Sequence, residues 1–167
     1  LGVGGMELYH AESSGISKDR LTPKLTHTAK VLWKIYVSFT IACALGYYLA
    51  GMSWFDAIGH SYSTVAIGGF STHDASMGYF NSIAIESVAV VFMLLAGVNF
   101  SLHFFVWKKK NVLTYFQDSE FKTYLLILST SIVLISAYLF DSNYYQSIEQ
   151  ALRYGIFQSV SMATTTG

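Results

Sequence analysis

Charged residues, proline and cysteine are all scarce in this chain of 167 residues. Asp, Glu, Lys and Arg together make up 12% of the sequence, against about a quarter in ordinary globular proteins. Ten basic residues balance ten acidic ones, so there is no charged disordered tail and no electrostatic footprint for nucleic acid. The single cysteine, Cys43, excludes a disulfide within the chain and is expected to be a small buried residue.

Apolar residues are correspondingly abundant. Hydrophobic residues make up 53% of the chain and aromatic residues 16%, and the mean hydropathy is +0.43. Because so few charged groups cannot cover that much apolar surface in water, the composition predicts a protein of the lipid bilayer.

Long stretches with little or no charge predict three membrane-spanning helices, since about 20 apolar residues cross the hydrocarbon layer. The predicted spans are Val31–Met52, Phe80–Trp107 and Phe121–Phe140. Only Glu86 interrupts the second of them with a charge. Thr22 and Pro23 predict the start of the first helix, and residues 1–12 are expected to end a preceding span.

The basic residues predict the orientation. Nine of the ten lie in two segments, one around the connection 13–30 and the other around the loop 108–120, and only Arg153 lies elsewhere. Three spans place both segments on one side, which the positive-inside rule makes cytoplasmic. The run Lys108–Lys110 either flanks the span or contacts anionic lipid or a cytosolic partner.

The two segments on the outer side each contain a helix-like run that is too short or too polar to span. Ser53 with Asp56, and Ser147 with Gln150, predict helix starts in which the serine caps the first turn. Both runs end in strips rich in Gly, Ser and Thr, and the two segments match at an offset of 98 residues, Ser61 with Ser159 being one such pair.

The strips predict a pore, because irregular backbone is tolerated at membrane depth only where it is buried in protein or lines an aqueous path. A helix C-terminus favours a cation, glycine lets successive carbonyls face one axis, and rings of carbonyls replace the water around potassium. The predicted ion-binding strips are Ala66, Ile67, Gly68, Gly69 and Thr164, Thr165, Thr166, Gly167. The alternative is a pair of re-entrant helices that merely pack through small residues.

The runs Ser63–Ser76 and Phe157–Gly167, with Phe55–His60 and Gly4–Tyr9, closely resemble the potassium-translocating membrane subunit of the bacterial Trk uptake system. That subunit belongs to the Trk/Ktr/HKT-type superfamily of potassium transporters. The resemblance implies an all-α integral membrane protein, built like a potassium channel from span–pore-helix–span repeats with re-entrant filter loops. It also implies four repeats in the whole protein, each with one filter glycine.

On that resemblance the chain is expected to be a fragment. Residues 31–107 form a complete repeat with its pore helix and filter at 53–70, and 108–120 form a cytoplasmic loop. Residues 121–167 form the span, pore helix and filter of the next, truncated repeat. The resemblance further implies a cytosolic nucleotide-binding regulatory subunit, a homodimer, potassium as the transported ion with no organic cofactor, and the bacterial inner membrane.

Several polar residues have more than one interpretation. Asp74 and Glu86 are candidates for an outer vestibule that attracts cations, while Glu86 can equally pair with Arg153 or His60 or face outer water. His60 and His73 lack the spacing of a transition-metal site. Asn99 and Ser101 are interpreted as hydrogen-bonding groups between helices. His103 has no partner that the sequence identifies.

Three functions compete at this stage. The preferred one is cation uptake through a carbonyl-lined filter. The second is a structural or accessory membrane subunit without a permeation role. The third, an intramembrane enzyme, is not favoured, because the chain has neither a G-x-S-x-G nor an H-E-x-x-H motif.

Overall fold

The computed structural model describes residues 25–142, 145 and 147–166, and within these residues every regular element is helical. The predictions on residues 1–12, on Thr22 and Pro23, and on Gly167 lie outside the described residues. The α-helices are α1 (Leu25–Leu49), α2 (Trp54–Val65), α3 (Ile83–Ala96), α4 (Phe100–Lys109), α5 (Leu113–Gln117), α6 (Ser119–Asp141) and α7 (Ile148–Ala163). A short 3-10 helix covers Ser76–Tyr79.

Two helices, α1 and α6, are long and apolar enough to cross a membrane by themselves. They correspond to the first and third predicted spans. Helix α6 begins two residues before and ends one residue after its predicted span, whereas α1 begins six residues and ends three residues before its own. Only 11% of the most apolar window of α6 is buried, so its outer surface is available to lipid or to other membrane helices. The all-helical membrane fold predicted from the sequence is confirmed.

The second predicted span is not one continuous helix. Helices α3 and α4 together are long and apolar enough to cross, but they meet at an angle of 91°. The break lies at Gly97–Asn99, where the Asn99 side chain accepts a hydrogen bond from the Ser101 amide at 3.0 Å and begins a new helix. Asn99 therefore caps its own helix, which corrects its interpretation as an interhelical group.

The two short helices begin as the sequence predicts. The Ser53 hydroxyl accepts a hydrogen bond from the Asp56 amide at the start of α2. The Ser147 hydroxyl accepts one from the Gln150 amide at the start of α7. These caps satisfy amides that have no partner within the helix.

Each short helix packs against the span that precedes it, α2 on α1 and α7 on α6. Helix α3 lies between the two pairs and contacts α1, α2 and α7. The shared core includes Cys43 and Tyr47 from α1 and Met93 from α3, with Val65 and Val160 from the two short helices. Val65 and Val160 lie near the C-terminal ends of α2 and α7, so the ends of both short helices pack into the same core.

Candidate ion-conduction site

The first strip begins with a tight turn at the end of α2. Ala66 remains right-handed and donates its amide to the Tyr62 carbonyl at 2.9 Å. Ile67 then takes a left-handed backbone with φ 54°, and Gly69 follows with φ 70°. The Gly68 amide reaches back to the Ser63 carbonyl at 2.8 Å, which is the hydrogen bond of a Schellman helix end.

The second strip repeats this turn at the end of α7. Thr164 donates its amide to the Val160 carbonyl at 2.9 Å, Thr165 to the Met162 carbonyl at 3.1 Å, and Thr166 to the Ser161 carbonyl at 2.8 Å. Each bond has its counterpart 98 residues earlier in the chain, at Ala66, Ile67 and Gly68. The structural repeat is therefore much stronger than the sequence match that predicted it.

The left-handed position carries a β-branched residue in both strips. Ile67 has φ 54° and Thr165 has φ 60°. A left-handed backbone is a genuine outlier for a β-branched residue, and most helices that end in this turn use glycine there. Backbone strain of this kind persists where the surroundings impose it, often at functional sites.

The turns leave the strip carbonyls without internal partners. Within the residues that the structure describes, no hydrogen bond is donated to a carbonyl oxygen of residues 66–69 or 164–166. Such oxygens can take the place of water around a cation. The arrangement can therefore supply backbone ligands from two re-entrant helices.

The first strip is anchored on the side of α1. The hydroxyls of Tyr47 and Thr64 lie 2.7 Å apart in a buried contact one turn before Ile67. No sequence pattern indicated this contact, because the two residues lie in different helices.

The loop that follows the first strip folds back onto the start of α2. The Thr72 hydroxyl donates to the Asp56 carboxylate at 2.6 Å and lies 3.3 Å from Nε2 of His60. Hydrogen bonds from Thr72 and Ser53 lower the pKa of Asp56 below its ordinary value. Nε2 of His73 lies 3.2 Å from Oδ1 of Asp56, which is ion-pair distance when the ring is protonated.

The second strip has its own anchor. The buried Thr164 hydroxyl donates to the Val160 carbonyl at 2.8 Å and lies 2.9 Å from the Thr166 hydroxyl. Thr165 is exposed, and its hydroxyl makes no hydrogen bond to the described residues. The Thr164 hydroxyl therefore stabilises the helix end, whereas the Thr165 hydroxyl faces outward.

The two predicted vestibule residues occupy different surroundings. Asp74 is exposed in the loop after the first strip. Glu86 is buried and accepts two hydrogen bonds from Arg153, at 2.7 Å from Nε and 2.6 Å from Nη2. Of the alternatives open for Glu86, the structure contains the ion pair with Arg153, which also donates to Asn81 at 3.2 Å.

Transition-metal ligands are not brought together. Among the described residues, no group of three or more His, Cys, Asp or Glu side chains is arranged to hold a metal ion. His60 and His73 instead contact Phe80 edge-on, and the ring of His73 stacks on Tyr79 at 3.7 Å.

The fold and the two matched strips define a helical membrane protein of the pore-loop type. The family profile described as TrkH, cation transport protein, matches residues 1–167. Two relatives are the Trk system potassium uptake protein TrkH of Halomonas elongata, 52% identical over 100% of this chain and 35% of its own length, and TrkG of Escherichia coli, 41% identical over 100% and 34%. The crystal structure of the potassium transporter TrkH from Vibrio parahaemolyticus matches with a TM-score of 0.84 and 47% identity, over 88% of this chain and 32% of that chain.

The chain belongs to the TrkH family of cation transport proteins. It spans about a third of the length of the curated relatives it matches. The resemblance stated from the sequence is confirmed. The division into repeats and the individual filter residues stay predictions.

Proposed function

We propose that this chain forms part of the ion path of a potassium uptake protein in the bacterial cytoplasmic membrane. The observation that carries the proposal is the repeated turn at Ile67 and Thr165, whose carbonyls accept no hydrogen bond from the described residues. The turn itself is common at helix ends, but a β-branched residue in its left-handed position is a genuine outlier, and two unrelated helix ends would not be expected to share it at equivalent positions.

Potassium is the substrate of this path. A potassium ion that enters the site exchanges water for carbonyl oxygens of Ala66–Gly69 and Thr164–Thr166. The C-terminal ends of α2 and α7 each carry about half a negative charge, which favours a cation beside them. We propose potassium as the substrate, and not another cation, because the relatives carry the name potassium uptake protein.

The partners follow from the family resemblance. A cytosolic nucleotide-binding regulatory subunit would dock on the cytoplasmic face, where Lys108, Lys109 and Lys110 are exposed. A homodimer in the inner membrane is the assembly that the resemblance implies. Asp74, which is exposed in the loop after the first strip, remains the candidate for attracting cations at the outer mouth.

Rubidium flux tests this function. The full-length protein, purified and reconstituted in liposomes, should carry rubidium, which sodium should displace poorly. Gly69→Ser, which adds a side chain at φ 70°, should reach the membrane and lose most of that flux.

The competing function is an accessory subunit without a permeation role. That function predicts no rubidium flux from the reconstituted wild-type protein, and equal growth on low potassium for Gly69→Ser and wild-type cells. Flux that is present but unchanged in Gly69→Ser would remove the first strip from the path.

A further inference from the structure

The break in the second span leaves backbone groups that need new partners. In a continuous helix the Leu95 carbonyl would accept from the Asn99 amide, four residues later. Here the Val98 amide donates to that carbonyl at 3.2 Å, as in the tighter turn of a 3-10 helix, and Asn99 instead begins α4. A cavity of about 80 Å³ lies beside the break and is lined in part by Gly97 and Tyr124. The described residues therefore do not fill the space on that side of the bend, and hydrogen bonds across the break can stabilise it.

His103 adds a second hydrogen bond to the Leu95 carbonyl, and this one comes from α4, across the break. Its Nε2 atom lies 2.9 Å from the Leu95 carbonyl, and its Nδ1 atom lies 2.6 Å from the Tyr115 hydroxyl. Because a carbonyl oxygen only accepts, Nε2 carries the proton and donates, and Nδ1 accepts from Tyr115. The buried ring also meets Phe39 edge-on at 4.9 Å, so both its position and its tautomer are fixed.

The bend lies directly against the second strip. A β-carbon built on Gly97 would come within 3.0 Å of Cγ2 of Thr164 and 2.7 Å of the Tyr124 hydroxyl. Thr164 is the first residue of that strip and is 4% exposed. A change in the angle between α3 and α4 would therefore move the wall against which this strip rests.

We infer that His103 is a positioning residue: it holds α3 and α4 in their bent arrangement and thereby seats Gly97 against Thr164. Tyr115 lies on α5, in the connection predicted to be cytoplasmic, so the same hydrogen bonds link that connection to the strip. The part of this inference that concerns selectivity rests on the proposed function, and the part that concerns the bend does not.

A distance measurement tests the bend without any transport assay. Spin labels on Val91→Cys and Lys108→Cys, both exposed, would be placed in full-length protein with Cys43→Ala and any other native cysteines replaced. The two backbone positions lie about 18 Å apart if the helices stay at a right angle and about 25 Å apart if the helix straightens. His103→Leu should lengthen the measured distance, because the Leu95 carbonyl keeps the Val98 amide but loses the hydrogen bond that ties α4 to α3.

A conservative variant separates hydrogen bonding from bulk. His103→Gln keeps an amide donor for Leu95 and an acceptor for Tyr115, so it should retain the wild-type distance and the wild-type preference for rubidium over sodium. Tyr115→Phe removes only the hydrogen bond to Nδ1 of His103 and should give a smaller change than His103→Leu. Tyr138→Phe, which removes an exposed hydroxyl on α6, is the matched control and should change nothing.

Each result decides one part of the inference. A wild-type distance in His103→Leu, or equal damage in His103→Gln and His103→Leu, would overturn the role in the bend. A longer distance with unchanged selectivity would overturn the link to the strip. If His103→Leu does not fold, Tyr115→Phe and His103→Gln still decide, because the inference requires the first to lengthen the distance and the second to preserve it. Loss of transport from every protein, wild type included, would contradict the proposed function and leave the distance result valid.

Discussion

The two strips share one backbone turn but are stabilised by different neighbours. The first is anchored by the Tyr47–Thr64 contact and is followed by a loop that folds back onto Asp56. The second is anchored by the hydroxyl of its own first threonine and by the bend at Gly97. What the strips have in common is the backbone, so the function proposed for both strips must depend on the backbone.

The helices that carry the strips also differ at equivalent positions. Where α2 has Ala57, α7 has Gly155 in close contact with Ser136 of α6. Where α2 has the exposed Phe55, α7 has Arg153 in its ion pair with Glu86. The second short helix is thus fixed by a close backbone approach and a charge pair at positions where the first short helix has Ala57 and Phe55.

The largest effect is expected at Gly69, where Gly69→Ala challenges the shared backbone directly. A left-handed backbone costs a residue with a β-carbon about 1–2 kcal/mol, and the added methyl group would also crowd the proposed ion path. Rubidium uptake by the full-length protein in cells that lack other uptake systems should fall about tenfold. Gly78→Ala is the matched control, because a β-carbon there meets nothing within 4 Å. Equal uptake by both variants would contradict the role of Gly69.

Gly155→Ala should be the next most damaging change, and it tests the closer packing of α7. The new β-carbon would lie 2.2 Å from the Ser136 hydroxyl and 3.2 Å from its α-carbon, so α7 must move away from α6. Overpacking of this kind costs about 1–3 kcal/mol. The melting temperature of the purified protein should fall, and Ser136→Gly in the same chain should restore part of it. No rescue by Ser136→Gly would mean that the contact does not set the helix spacing.

The hydropathy pattern and the serine caps were sufficient to predict three spans and two short helices with strips at their ends. They could not predict the bend at Gly97–Asn99, because hydropathy does not register a change of direction inside an apolar stretch. The Asn99 cap after a glycine was the available signal. The Glu86–Arg153 pair joins residues 67 positions apart, and the sequence left it open because only tertiary packing decides which partner a buried charge meets.

Neutralising one member of the Glu86–Arg153 pair should have a smaller but clear effect. Removing one partner of a fully buried pair costs about 3–5 kcal/mol, and the cost here should be lower because the two side chains are 11% and 20% exposed. Arg153→Met and Glu86→Gln should each lower the melting temperature and the selectivity. The double variant should be less damaged than the two single effects combined, because neither charge is then left unpaired. Additive effects would show that the pair does not fix α7 against α3.

The smallest effect is expected from Thr165→Val, and it is the sharpest test of the comparison between the strips. The Thr165 hydroxyl is exposed and has no hydrogen bond to the described residues, and the equivalent residue of the first strip, Ile67, has no side-chain oxygen at all. Valine keeps the β-branched shape, so the strained backbone at φ 60° is not disturbed further. If carbonyls are the ligands in both strips, the half-saturating rubidium concentration should change by no more than about twofold, within the range of a neutral surface substitution.

Thr164→Val is the comparison variant, since it removes a buried hydrogen bond that contributes about 0.5–1.5 kcal/mol and should lower the melting temperature more. Rubidium affinity damaged by Thr165→Val as strongly as by Gly69→Ala would make the Thr165 hydroxyl a direct ligand, and the two strips would then bind the ion by different chemistry.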